Sequence, residues 1–136
     1  ARAGAEVAAA LGIETRTSVL RVDRLHLADD DPIAVSTSYL APAVVPPDRP
    51  TDDAVLSASL YRWLEHERGV RIAGGSEVIE SEVADAETAA ALEVPVGAPL
   101  LVARRTARDP GGSPVEYAVR RYRADRYRYR IELSRP

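Results

Sequence analysis

The stretch LLVARRTARDPGGSPVEYAVRRY, Leu100–Tyr122, decides the fold. Its flanks, Leu100–Thr106 and Val115–Tyr122, are rich in aliphatic, β-branched and aromatic residues. Between them stand Asp109, Pro110, Gly111, Gly112 and Ser113, residue types that reverse a chain rather than extend it. A β-hairpin is predicted. The same pattern recurs upstream, where Thr17–Arg24 and Ile33–Leu40 flank Asp29, Asp30, Asp31 and Pro32, so a second hairpin is expected there. The three aspartates are adjacent in sequence at a place where aspartate bonds its own backbone. A turn explains them better than a magnesium site.

Around the hairpins lie helical signals. Ala1–Leu11 is alanine-rich and stops at Gly12, a residue suited to the left-handed end of a helix. Pro42–Pro50 contains too many prolines for a helix or a central strand and must cross the surface as a loop. Leu56, Leu60, Trp63 and Leu64 recur at helical spacing and predict a helix over Ser59–Arg68, closed by Gly69. Val70–Val83 reads as extended, with a bulge or bend at Gly74 and Gly75. Asp85 is a fitting N-cap for a short helix through Leu92, ended by Pro95 and Gly97. Last, Tyr127, Tyr129, Ile131 and Leu133 alternate with Arg128, Arg130 and Glu132, the pattern of a strand with one buried face. The expected class is α+β, in one domain of 136 residues.

Composition narrows the function. With 46% hydrophobic and 29% charged residues, the chain has the balance of a globular protein and not of a disordered one. Its longest uncharged stretch, Ile33–Pro47, is interrupted by three prolines, so no membrane-spanning segment is expected. Lacking cysteine, it has no disulfide, thiolate metal site or cysteine nucleophile, and a cytoplasmic location is expected. It also lacks methionine, so Ala1 is expected to be a boundary inside a longer sequence. All eighteen basic residues are arginine, and ten of them fall in residues 104–135 against four acidic ones. The net charge is nevertheless −3, which is not the signature of a self-sufficient duplex-DNA binder.

Enzyme signatures are scarce: the chain has no zinc-binding His pair, phosphate loop or Gly-x-Ser-x-Gly elbow. His66, between Glu65 and Glu67, belongs to a solvated helix face. Arginines and tyrosines interleave from Arg120 to Arg130 in the manner of a single-strand nucleic-acid platform. Strand alternation explains this better, with Tyr127 and Tyr129 packing inward and the arginines keeping the surface soluble. Three constellations say more. Arg24 and His26 share a strand face with Leu20 and Val22, and a charge on an apolar face requires a partner, either a salt bridge or a ligand. Ser59 begins the helix carrying Tyr61, and a helix start suits a phosphate or carboxylate, although serine is also an ordinary cap. Glu116 and Tyr122, six apart, face the same way if no bulge intervenes, and a carboxylate with a phenol suits hydrogen bonding to a polyol.

These pieces come in a recognisable order: Leu11-Gly12-Ile13, Val19–Arg24, Ser59-Leu60-Tyr61, Pro114-Val115-Glu116-Tyr117 and Tyr122-Arg123-Ala124-Asp125-Arg126-Tyr127. In that order and spacing, the chain resembles the UTRA domain, the effector-binding half of bacterial transcription regulators of the GntR superfamily, HutC subfamily. The resemblance covers nearly all of the chain. It implies a chorismate-lyase-like fold, an antiparallel sheet with flanking helices, usually dimeric. It also implies that DNA is bound only through a preceding winged helix-turn-helix outside this chain. Carried over by motif, the residues that hold sugar phosphates in such domains fall on Arg24, Ser59, Tyr61, Glu116 and Tyr122. His26 stands where a second arginine is usual, and Ser36 where an acidic residue is often found. The expectation is therefore a small-molecule, possibly anionic, effector held by Arg24, His26, Ser59, Tyr61, Glu116 and Tyr122 in a homodimer, with no metal or cofactor. The rivals are an enzyme like the lyase that shares the fold, using Arg24 and Glu116 on its substrate, and a dimerisation module whose pocket has degenerated.

Overall fold

In a computed structural model the chain is described over residues 1–49 and 60–135. Pro50, Leu56 and Ser59, to which the sequence assigns a loop end, a helical position and a ligand contact, lie outside the described residues. The elements run α1 (Ala5–Leu11), β1 (Leu20–Ala28), β2 (Asp31–Leu40), α2 (Leu60–Arg68), β3 (Gly74–Val83), α3 (Ala86–Leu92), β4 (Pro99–Arg108) and β5 (Pro114–Arg123). All strand pairs are antiparallel, and the sheet order is β1-β2-β5-β4-β3. The expected α+β class is the one found.

Local chemistry sets most boundaries. Gly12 ends α1 in the left-handed region, at φ 67°, and donates its N–H to Ala8 O. Asp29 and Asp30 are both left-handed, at φ 51° and 67°, the backbone of a tight two-residue hairpin turn that aspartate tolerates. Pairing therefore continues to Ala28 and Asp31, and β1 covers Leu20–Ala28 instead of stopping at Arg24. Pro32 is accommodated because β2 pairs with β5 only from Ala34 onward, so its missing N–H falls outside that ladder. Asp85 caps α3 as expected, accepting a 2.8 Å hydrogen bond from the Thr88 N–H.

The glycines of β3 behave differently from expectation. Strand β3 starts at Gly74, leaving Val70–Ala73 without strand structure, and its ladder with β4 runs through ten consecutive pairs with no bulge. Gly75 is required by close approach: a Cβ there would stand 2.3 Å from the backbone carbonyl oxygen of Thr106. The larger correction is at the C-terminus. Tyr127–Leu133 forms no strand, and Tyr129, Ile131 and Leu133 are 51%, 59% and 87% exposed. The cause is topological. Strand β5 is interior, hydrogen-bonded to β2 on one side and β4 on the other, so the chain leaving it through the Ala124–Arg126 turn has no edge beside it.

The two sheet faces are covered unequally. On one, Val7 and Leu11 of α1 and Ala89 and Leu92 of α3 pack against Leu100, Val102, Tyr117 and Val119. On the other, Leu60, Trp63 and Leu64 of α2 pack with Leu20, Val22, Leu40 and Val115 at one end of the sheet. Arg68 Nε holds this helix to the preceding loop by donating to Val44 O at 3.1 Å. This second face carries the candidate site.

Candidate functional site

Because alternate residues of a strand point the same way, register alone brings the site together. One cross-strand row reads Arg24, Ser36, Arg120, Ala103 and Ile79. The next toward the turns reads His26, Ala34, Tyr122, Leu101 and Ser81. On the other side lie Val22, Ser38, Ala118, Arg105 and Glu77, then Leu20, Leu40, Glu116, Ala107 and Gly75. Small residues pave the middle strands while long polar ones rise around them, which makes the face a shallow cleft. No bulge interrupts Glu116–Tyr122, so the two do share a face, at opposite ends of a span of about 20 Å. Of the residues singled out from sequence, the structure thus groups Arg24 with His26 and Tyr122 at one end and Tyr61 with Glu116 at the other.

At the first end, Arg24 and Arg120 flank Ser36 from the two neighbouring strands, with about 9.5 Å between their backbones. Among the described residues neither guanidinium has a hydrogen-bond acceptor or an ion pair, and Arg24 Nε is buried without a partner. Burial lowers the Arg24 pKa and Arg120 lowers it further, an effect only partly opposed by Glu116. His26 Nε2 lies 2.8 Å from Ser36 Oγ. Burial first, then Arg120 and Arg24, push the His26 pKa below its usual 6.5. Tyr122 is covered by Tyr127, the rings stacked with centroids 3.9 Å apart. Ser36 adds no charge between the two arginines, and the carboxylate that acts on Arg24 is Glu116.

At the second end, Glu116 is 3% exposed. Tyr61 reaches it from α2 across a tight pocket shared with Glu77, Arg105 and Arg120. Burial, then the neighbouring Glu116, raise the Tyr61 pKa, with Arg105 partly offsetting them. Arg105 itself donates to Glu77 Oε1 at 3.1 Å. Beside this pair a cavity of about 470 Å³ opens between Tyr61, Ile72, Gly75, Glu77, Arg105 and Ala107. A second pocket of similar size, toward the opposite face, is lined by Arg21, Asp23, Thr37, Asp85 and Arg121 and also by Arg24 and Ser36. There Arg21 pairs with Asp23 at 3.0 Å and Arg121 with Glu82 at 2.9 Å, while Arg24 has no partner among the described residues. Among the described residues no group of three or more His, Asp or Glu side chains is placed to hold a metal. Sequence reading missed Arg120, taking it for a solubility residue, although its even spacing from Glu116 and Tyr122 puts it on their face.

A sheet with one face covered by helices and the other half open over Arg24 and Arg120, which have no acceptor among the described residues, has room for a small molecule. Residues 1–128 match the UTRA domain model. The HTH-type transcriptional regulator Rv0792c of Mycobacterium tuberculosis is 35% identical over 118 residues, 86% of this chain and 44% of that protein. The effector domain of PhnF from Mycobacterium smegmatis superposes with a TM-score of 0.87 at 25% identity, over 99% of this chain and 82% of that one. A GntR-family transcriptional regulator from Enterococcus faecalis superposes with a TM-score of 0.85 at 25% identity, over 98% and 94%. The chain therefore belongs to the UTRA domain family, the ligand-binding regulatory domains of GntR-family transcriptional regulators. It spans about half the length of the curated relatives it matches.

Proposed function

We propose that the cleft binds a small anionic effector whose phosphate or carboxylate sits between Arg24 and Arg120, over Ser36. The observation that carries this reading is that Arg24 and Arg120, in one cross-strand row, have no acceptor among the described residues. A single anion satisfies both and removes their mutual repulsion. Tyr61 from the helix side and Glu116 then meet the uncharged part of the ligand through their polar atoms, and the resemblance assigns Ser59 to the same ligand. His26 and Tyr122 close the far end. A sugar phosphate has both halves of this chemistry.

Binding does no chemistry in this reading. It biases the arrangement of two DNA-binding domains attached outside this chain, in a cytoplasmic homodimeric regulator of the HutC subfamily. An effector acts on such an equilibrium only through its different affinities for the two states. Relatives that are transcriptional regulators support a receptor over an enzyme. Titration calorimetry with a panel of hexose phosphates and the matching free sugars tests the reading. Heat with phosphorylated members and none with the free sugars is expected, whereas equal binding of both overturns the anion site. Release of 4-hydroxybenzoate from chorismate would establish the enzyme instead.

A further inference from the structure

The cleft continues past Glu116. Beyond the tight pocket that Tyr61 shares with Glu116 lies the cavity of about 470 Å³, and Tyr61, Glu77 and Arg105 line both. These side chains form a partition, with Glu116 and Arg120 on one side and a roomier compartment over the start of β3 on the other. The floor of that compartment is nearly bare of side chains. Gly75 and Ala107 stand opposite one another in the row that ends at Glu116. The Thr106 carbonyl that forbids a Cβ at Gly75 thus also keeps this floor low. Ile72 and Ala73 supply a wall, Ile72 packing on the apolar cluster of α2 and Ala73 donating its N–H to Arg108 O at 2.9 Å. A recess of this size takes a ring-sized group.

Its electrostatics is the reverse of that at the anion end. Among the described residues that line it, Arg105 is the one cation, and it is already paired with Glu77 at 3.1 Å. Arg24 and Arg120, by contrast, have no acceptor among the described residues. A further charge brought into the cavity would have to break the Arg105–Glu77 pair or lie there unpaired. A neutral group meets no such penalty. Its apolar surface lies against Ile72, Ala73 and the Tyr61 ring, and hydroxyls that it carries reach Arg105 and Glu77 at the rim. We propose that this cavity is a second subsite of the receptor, and that the effector is a hexose phosphate carrying a neutral ring, an aryl group or a second sugar, on its anomeric carbon. This rests on the anion site put forward above. The sugar that meets Tyr61 and Glu116 then points the carbon remote from its phosphate across the partition.

Titration calorimetry on the chain as it stands tests this with hexose 6-phosphates in both anomers. The ligands are the methyl glycoside, the phenyl glycoside and a disaccharide phosphorylated on its non-reducing ring. At least one ring-bearing ligand is expected to bind about 10-fold or more tightly than the methyl glycoside, through the apolar area that the cavity buries. Whether phenyl or sugar gains more identifies the substituent. Ala73→Trp, at an exposed position whose backbone hydrogen bond is kept, fills the cavity from its wall. It should erase the gain and leave both the affinity of the methyl glycoside and the melting temperature of the free domain unchanged. Gly74→Leu, whose Cβ meets nothing within 4 Å, repeats the block from the adjoining position should Ala73→Trp prove unstable. If the methyl glycoside binds and neither ring improves on it, or if the gain survives the blocking variant, the subsite is refuted and the anion site stands. If no phosphorylated ligand binds, or the free glycosides bind as tightly, the anion site falls and the subsite with it.

Discussion

At the level of single residues, the proposed anion site depends on two guanidiniums of like charge, Arg24 and Arg120, in one cross-strand row. Arg24→Gln and Arg120→Gln are each expected to weaken binding of a hexose phosphate by roughly 1.5–3 kcal/mol, about 10- to 150-fold, the cost of a charge-assisted hydrogen bond. Neither should lower the melting temperature, since each removes a like-charge contact. Calorimetry and thermal unfolding on the same variants check both halves, and a variant that unfolds shows its arginine to be structural. His26 supplies a pH signature. Its pKa is lowered in the fold by burial and by Arg120 and Arg24, so the unfolded chain binds a proton more readily. Stability from this group is fully present above the unfolded value near 6.5 and is lost as pH falls from there through the folded value. An anion over the ring raises that value again, so affinity is highest at low pH and declines as pH rises through the bound-state pKa. His26→Asn is expected to flatten both slopes between pH 5 and 7. A wild type whose affinity for the phosphate is level over that range removes His26 from the site. The parity of strands made Arg24 with His26, and Glu116 with Tyr122, legible as shared faces. Arg120 was hidden because a charge among charges reads as solubility until the register sets it beside Arg24.

At the level of elements, what the sequence disclosed is what short-range chemistry controls. The Asp29–Asp30 turn, the Gly12 helix end, the Asp85 cap and the hairpin over Asp109–Ser113 each depend on a few neighbouring residues. Two features depended on distant backbone. The alternating tail is a strand by pattern, but a strand needs a ladder, and β5 offers none because β2 and β4 occupy both its sides. The paired glycines of β3 suggested a bulge, whereas Gly75 is dictated by the Thr106 carbonyl on the adjoining strand, a neighbour that local sequence does not reveal. Gly75→Ala tests that account. A Cβ at 2.3 Å from a backbone oxygen is relieved only by parting β3 from β4, and overpacking of this kind costs about 1–3 kcal/mol. Urea unfolding should show that loss, with Gly74→Ala as the control because its Cβ meets nothing within 4 Å. Equal effects at the two positions would mean that backbone entropy, not contact with Thr106, explains the glycine.

For the molecule as a whole, the sheet order decides what the ligand can do. Strand β5 lies at the centre, and it presents Arg120 and Glu116 to the cleft while Tyr117 and Val119, on its other face, belong to the core under α1 and α3. A ligand drawn onto the open face therefore grips the strand that both cores share, and binding should stiffen the whole domain. With effector at a hundred times its dissociation constant, binding to the folded state alone adds about 2.7 kcal/mol of stability. For a chain of this size that raises the melting temperature by roughly 10 °C. Thermal unfolding with a hexose phosphate, its free sugar and inorganic phosphate separates the contributions. The hexose phosphate should give the full shift and phosphate alone a smaller one, since it meets the guanidiniums but not Tyr61 or Glu116. The double variant Arg24→Gln, Arg120→Gln should give none at the same concentrations. If the free sugar stabilises as strongly as its phosphate, the guanidinium pair is not the anchor, and the polar end at Tyr61 and Glu116 defines the receptor by itself.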